Sequence, residues 1–342
     1  MEKKKFVGFG EIMARLAPAG YLRLSQAENF TVNYSGAEGN MAIALAYMGL
    51  PAEMVTKFPD NEVGRCACRT LKKFGVITDH IAWGGERLGI YYLERGASQR
   101  PSKVIYDRKH SSIAEADPSD FDWDEIFKDA GWFHFTGITV ALSKNMQQIC
   151  KEACIAAKKH GVMVSCDLNY RKNLWSTEEA QQIMIPLMEY VDVCIGNEED
   201  SEKVLGIKPA NTDITSGKLS IEGYSALAKQ LTERFGFKMV GITLRESISA
   251  SINNWSAMLY ADGQTYLSKK YTMQIVDRVG GGDSFASGLI YSQLNDFDYQ
   301  KTIEFAAGAS CLKHSIEFDF NLSSVDEVMN LINGDGSGRV QR

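Results

Sequence analysis

Residues 277–285 read Asp-Arg-Val-Gly-Gly-Gly-Asp-Ser-Phe, and the rest of the chain is best read outward from them. They follow a strand-like segment, 272–276, and run into an apolar stretch, 285–294, with the composition of a buried helix. Three successive glycines, Gly280, Gly281 and Gly282, leave the backbone bare, so that N–H groups can converge on an anion. The helix N-terminus behind them adds partial positive charge. Asp283 stands at that terminus, where the dipole favours its ionised form. A carboxylate beside an anion-holding turn suits transfer of a phosphoryl group to a hydroxyl. The amides hold the group in transit and the carboxylate takes the hydroxyl proton. The structural alternative is a mobile loop in which Asp283 is an ordinary helix N-cap.

Upstream of this turn, strand and helix patterns alternate. Strand-like segments at 132–136, 162–167, 191–196 and 239–243 are separated by helical segments at 144–160, 177–190, 198–205 and 221–235. A first strand is expected at 6–10, with helices at 41–48 and 61–74 stopped by Gly49 and Gly75. A hairpin, 255–260 with 265–268, turns at Asp262-Gly263, and helices at 284–294 and 299–313 close the domain. Strands spaced by helices predict an α/β fold with a mainly parallel sheet covered on both faces. Two strand-rich insertions, 12–34 and 86–110, break the rhythm and are expected to form a small second sheet. One domain over 1–332 is expected, followed by a flexible glycine-rich tail, 333–342.

The 342 residues carry 37 Lys+Arg against 43 Asp+Glu, a net charge of −6, which argues against nonspecific nucleic-acid binding. An anionic substrate would need local positive charge. The basic start, Met1 to Lys5, is followed by an apolar stretch broken at Glu11 and Arg15, so no secretory leader is expected. No run approaches the roughly 18 apolar residues of a membrane span, and the expectation is a cytoplasmic protein. The 7 cysteines, including Cys66, Cys68, Cys150 and Cys154, lack zinc-site spacing and read as reduced core thiols. Other motifs fail. Gly8-Phe9-Gly10 has Met13 where a dinucleotide fingerprint needs glycine, which leaves a structural glycine pair. Gly217-Lys218 is followed by Leu219, and Thr212 stands where a P-loop needs glycine. Ser284 lacks the last glycine of a nucleophile elbow, and His134 reads as a core histidine.

The run from Asp277 to Phe285 resembles the C-terminal signature of the PfkB, or ribokinase-like, carbohydrate kinases, and the similarity covers essentially the whole chain. It implies a three-layer α/β sandwich with a mainly parallel central sheet and a small β-sheet lid. The family's anion hole and catalytic base would fall on Gly280, Gly281, Gly282 and Asp283. Ser35-Gly36-Ala37-Glu38-Gly39-Asn40 resembles the family's sugar-binding turn, with Ser35 in place of its first glycine, and nominates Gly36, Ala37 and Asn40. Asn197-Glu198-Glu199-Asp200 resembles the Asn-x-x-Glu motif, with Asp200 one methylene shorter; Asn197 and Asp200 would act on magnesium through water. Asp167-Leu168-Asn169-Tyr170-Arg171 resembles the loop lining the sugar and nucleotide sites. In the nucleotide loop, Thr243-Leu244 is followed by Arg245 where many relatives have glycine. Asn169, Asn197, Thr243 and Arg245 are thus the expected nucleotide contacts, with ATP and Mg²⁺ as cofactors. The lid implies a homodimer, which would also cover open strand edges.

Within the family, residues 88–94, 104–108, 167–171 and 277–283 resemble 2-keto-3-deoxygluconate kinases most. There, residues at the positions of Gly36, Tyr91, Tyr106, Arg108, Arg171 and Asp283 contact substrate. The implied reaction is ATP-dependent phosphorylation of 2-dehydro-3-deoxy-D-gluconate at the 6-hydroxyl. The residue types agree: two arginines can grip a carboxylate, and tyrosines offer hydroxyls on flat apolar bodies. If the arginines instead face solvent or phosphates, the alternative is a fructokinase or another sugar kinase. A non-catalytic sugar-binding regulator is the alternative of another class, opposed by the intact Gly280 to Asp283. A nicotinamide dehydrogenase is opposed by the missing third glycine after Gly10.

Overall fold

A computed structural model of the protein describes residues 5–208 and 220–336. Residues 1–4, the 212–219 segment weighed as a P-loop, and residues 337–342 of the expected tail lie outside the described residues. The main sheet has nine strands. Ala52–Val55, Lys5–Phe9, Ala130–Thr136, Met163–Asp167, Val193–Gly196 and Met239–Ser247 run parallel, in that spatial order. Ile252–Ala261 continues the sheet antiparallel, with Gln264–Leu267 and Tyr271–Gln274 paired to it.

Successive strand residues point to opposite faces, and the two faces bury different helices. Val7, Phe133, Cys194 and Val240 share one core with the helices Lys144–Lys159, Thr177–Leu187 and Ile221–Phe235. Their neighbours Phe6, Trp132, Val193 and Met239 share another with Ala37–Tyr47, Gly281–Leu294 and Tyr299–Lys313. The result is the three-layer sandwich that the alternation predicts. His134 is buried, with Nδ1 2.7 Å from the Ser165 hydroxyl, and burial pulls its pKa down to about 3. All 7 cysteines are free thiols. No helix among the described residues is long and apolar enough to cross a membrane.

A second sheet of four strands, in the order Thr31–Ser35, Met13–Ala17, Gly89–Glu94, Lys103–Asp107, comes from the two insertions. Its Met13, Ala17, Tyr91 and Leu93 form a small core against Val279, so the sheet rests on the glycine turn itself.

The structure departs from expectation at several elements. The edge strand Ala52–Val55 was not expected, because Glu53 interrupts its apolar run. Glu53 is buried there and pairs with Lys5 Nζ and His80 Nδ1, each at 2.6 Å. The closing helix Val325–Ile332 was also unforeseen, being only eight residues long. Thr243 and Arg245 lie within the strand Met239–Ser247, which runs past residue 243, rather than in a loop. The helix expected at 284–294 begins at Gly281, with Gly280 as its N-cap at φ +82°. Asp283 is therefore the third helical residue and not the N-cap.

Candidate active site

The parallel strands end at one edge of the sheet, where ligands bind in such folds. A cleft of about 590 Å³ opens there between that edge, the second sheet and the glycine turn. Its walls bring together every residue nominated for the site from the sequence: Gly36, Ala37, Asn40, Tyr91, Tyr106, Arg108, Asn169, Arg171, Asn197, Asp200, Thr243, Arg245, Gly280, Gly281, Gly282 and Asp283.

The glycine turn is held from behind. A Cβ on Gly280 would lie 2.0 Å from the Asp319 carbonyl oxygen, and its positive φ already disfavours any other residue. Asp277, the first residue of the motif, accepts from buried Arg15 at 2.5 Å, and Asp319 accepts from the other arm of the same guanidinium. Lys313, fully buried, donates to the carbonyls of Asp277 at 3.1 Å, Ile316 at 3.3 Å and Phe318 at 2.6 Å. Burial pulls its pKa down to about 8. The Gly281 N–H turns back to the Arg278 carbonyl at 3.3 Å. Gly282 and Asp283, in the first helical turn, have no intrahelical acceptor for their N–H groups. Gly282 has open space where a side chain would stand.

Asp283 Oδ2 accepts from Asn40 Nδ2 at 2.7 Å, which ties the glycine turn to the helix Ala37–Tyr47. Burial pushes the Asp283 pKa up to about 6 despite that bond, so the group lies closer to neutrality than its place at a helix N-terminus suggested. Such a carboxylate is ionised near neutral pH yet basic enough to take a proton. Gly36 is needed for close approach, since a Cβ there would fall 1.8 Å from the Glu11 carbonyl oxygen.

Opposite Asp283, Asn169 sits at φ +38°, its N–H donating to Asp167 Oδ1 at 3.1 Å. Asn tolerates this region better than most residues. Asp167 lies well above the usual carboxylate range, first through burial and then through the charges of Asp200 and Asp283. Asn197 and Asp200 form a reciprocal cap on the helix Glu198–Leu205: Asn197 Oδ1 accepts from the Asp200 N–H at 2.8 Å, and Asp200 Oδ2 from the Asn197 N–H at 3.4 Å. Asp200 Oδ1 also accepts from the Tyr170 N–H at 2.9 Å.

The two nominated arginines differ. Arg171 is exposed to the cleft, and its charge lowers the pKa of both Asp167 and Asp283. Arg108 lies across the cleft on the second sheet, stacked 4.4 Å from the Tyr106 ring centroid and 3.4 Å from Glu11 Oε2. Tyr91 does not offer a free hydroxyl: it donates to Asp319 Oδ2 at 2.7 Å and lies 2.9 Å from Ser35 Oγ. The sequence reading missed Glu11, Glu38, Trp255 and Arg278, which also line the cleft. Glu38 spans from the sugar-turn helix to the Thr136 N–H at 3.0 Å and the Thr139 hydroxyl at 2.7 Å, and burial pushes it to about 7. An acid at the third position of a glycine-flanked turn was the available signal.

A helix N-terminus with unpaired N–H groups, a carboxylate beside it and a cleft of about 590 Å³ walled by a second sheet suit a phosphotransferase acting on a small hydroxyl compound. The chain belongs to the pfkB family of carbohydrate kinases, whose sequence profile matches residues 3–315. It is similar to the solved structure of 2-dehydro-3-deoxygluconokinase from Thermotoga maritima, at 55% identity and a TM-score of 0.94, covering 97% of this chain and 100% of that one. It is 30% identical over 336 residues to 2-dehydro-3-deoxygalactonokinase of Haloferax volcanii, covering 98% of each. It is 26% identical over 339 residues to 5-dehydro-2-deoxygluconokinase of Clostridium perfringens, covering 97% of this chain and 94% of the relative.

Proposed function

We propose that the protein transfers a phosphoryl group from ATP to the 6-hydroxyl of 2-dehydro-3-deoxy-D-gluconate. The likeness to the Thermotoga maritima kinase across both chains carries this reading. The cleft supports it with a base at one end and a guanidinium at the other. Asp283 accepts the proton of the attacking hydroxyl, held in place by Asn40. The N–H groups at the start of Gly281–Leu294 face the phosphoryl group in transit and meet its charge without reorganising. Arg171 stands at this transfer end, while Arg108 takes the substrate carboxylate at the lid end. Thr243, Arg245, Asn169 and Asn197 flank the nucleotide, and the lid of residues 12–34 and 86–110 shuts water out.

The mutual repulsion of Asp167 and Asp200 suits a nearby divalent cation. No three His, Cys, Asp or Glu side chains among the described residues converge closely enough to hold an ion by themselves, so Asn197 and Asp200 would hold magnesium through water. When bound, the ion supplies charge neutralisation to the phosphates. A second copy of the chain fits the outer face of the lid, where Ile105 of the exposed edge strand Lys103–Asp107 stands together with exposed Val32 and Phe30. The free thiols fit a reducing cytoplasm.

The test is an ADP-release assay over sugar acids and neutral ketoses, with and without a chelator. Turnover of 2-dehydro-3-deoxygluconate well above fructose, lost with chelator and restored by Mg²⁺, is expected. A preference for fructose overturns the substrate assignment. The galacto epimer belongs in the panel because the Haloferax volcanii relative is named for it.

A further inference from the structure

Glu11 is a carboxylate buried in the wall of the substrate cleft, 3% exposed. Its Oε1 accepts from the Ser111 hydroxyl at 2.8 Å. Its Oε2 lies 3.4 Å from Arg108 Nε, yet neither of these two buried atoms has a hydrogen-bond partner. The remaining contacts of Arg108 are soft: Nη2 meets the Met13 sulfur at 3.6 Å, and the guanidinium stacks on Tyr106. The other charge near Glu11 is that of Arg87, which is already paired with Asp107 at 2.8 Å. From the remaining side, Gly89 closes on Oε1: a Cβ there would lie 2.8 Å away.

The Glu11 and Arg108 charges therefore cancel, and the guanidinium still has unspent donors. The substrate class proposed above carries its carboxylate at the opposite end from the hydroxyl that meets Asp283, which places it at Arg108. A second carboxylate there would leave two negative charges on one guanidinium in a poorly solvated corner, and the cheapest remedy is a proton. We infer that Glu11 is protonated from solvent when a sugar acid binds, so that Arg108 passes from Glu11 to the substrate carboxylate. The step balances as one carboxylate and one proton giving one carboxylic acid. Burial already raises the Glu11 pKa, with Arg108, Ser111 and Arg87 opposing, so the group is poised for it.

This inference rests on the sugar-acid reading, and calorimetry separates the two. 2-Dehydro-3-deoxygluconate is titrated into the nucleotide-free protein in buffers of different ionisation enthalpy, near neutral pH. The observed enthalpy should change with buffer by up to one proton taken up per site. Affinity should weaken by as much as about tenfold per pH unit as pH rises. In Glu11→Gln, which mimics the protonated form, the buffer dependence should vanish while the sugar acid still binds. A neutral analogue lacking the carboxylate should show no uptake in wild type. Binding of the acid by wild type with no buffer dependence overturns this inference alone, as does an undiminished dependence in Glu11→Gln. Failure of wild type to bind any sugar acid overturns it together with the functional reading.

Discussion

Replacing Asn40 by alanine should move the acid limb of the pH–rate profile. Asn40 donates to Asp283 at 2.7 Å and so favours the ionised carboxylate, the form that accepts the hydroxyl proton. Burial holds the Asp283 pKa at about 6, so wild-type kcat/KM should fall tenfold per pH unit below that value. A hydrogen bond to a charged group is worth about 1.5–3 kcal/mol, and the lower end applies because the cleft admits water to Asp283. At roughly 1.4 kcal/mol per pH unit, the limb should move up by about one unit in Asn40→Ala. The mutant should then lose about fivefold more activity at about pH 6 than at about pH 8.5, where both enzymes are ionised. Any substrate contact made by Asn40 would lower the whole profile evenly and leave this difference intact. Direct detection of the phosphorylated sugar avoids the pH dependence of coupling enzymes. An acid limb that stays near 6 in Asn40→Ala, or a wild-type profile with no limb in that region, would refute the reasoning.

Asp283→Asn should cut turnover by roughly 10²–10⁴-fold and yet stabilise the fold. The native pKa is raised above the unfolded value, so stability is lost as pH rises through about 6; the mutant's higher melting temperature should appear at neutral pH and vanish in acid. Gly280→Ala should destabilise by several kcal/mol or abolish folding, because the new Cβ meets the Asp319 backbone, whereas Gly282→Ala should melt normally and lose activity instead. Equal melting temperatures for the two glycine mutants would contradict the geometry. Arg15→Met should cost about 3–5 kcal/mol in denaturant unfolding, because it strands the Asp277 and Asp319 carboxylates in the core. A loss no larger than that of an exposed Arg65→Met control would show that the cluster is not held by charge.

Much of the fold was legible in the chain, because its signals are local. The alternation of apolar strands and helical segments specifies a covered parallel sheet whichever way the strands are ordered. The run from Asp277 to Asp283 places bare amides and a carboxylate on one turn regardless of its surroundings. Tertiary structure decided what depends on partners far away in sequence. Arg15, noticed in the sequence only as a break in an apolar stretch, is the counter-ion of Asp277 and Asp319, separated from them by 262 and 304 positions. Tyr91 looked like a free donor, but its hydroxyl is spent on Asp319. Arg108 looked like an unpaired cation until the fold set Glu11 beside it. The strand Ala52–Val55 carried too weak a local signal, since its buried Glu53 is tolerable only with Lys5 and His80 alongside. A residue's chemical type is written in the sequence. Its net charge, spare hydrogen bonds and proton affinity are set by whatever the folded chain packs against it.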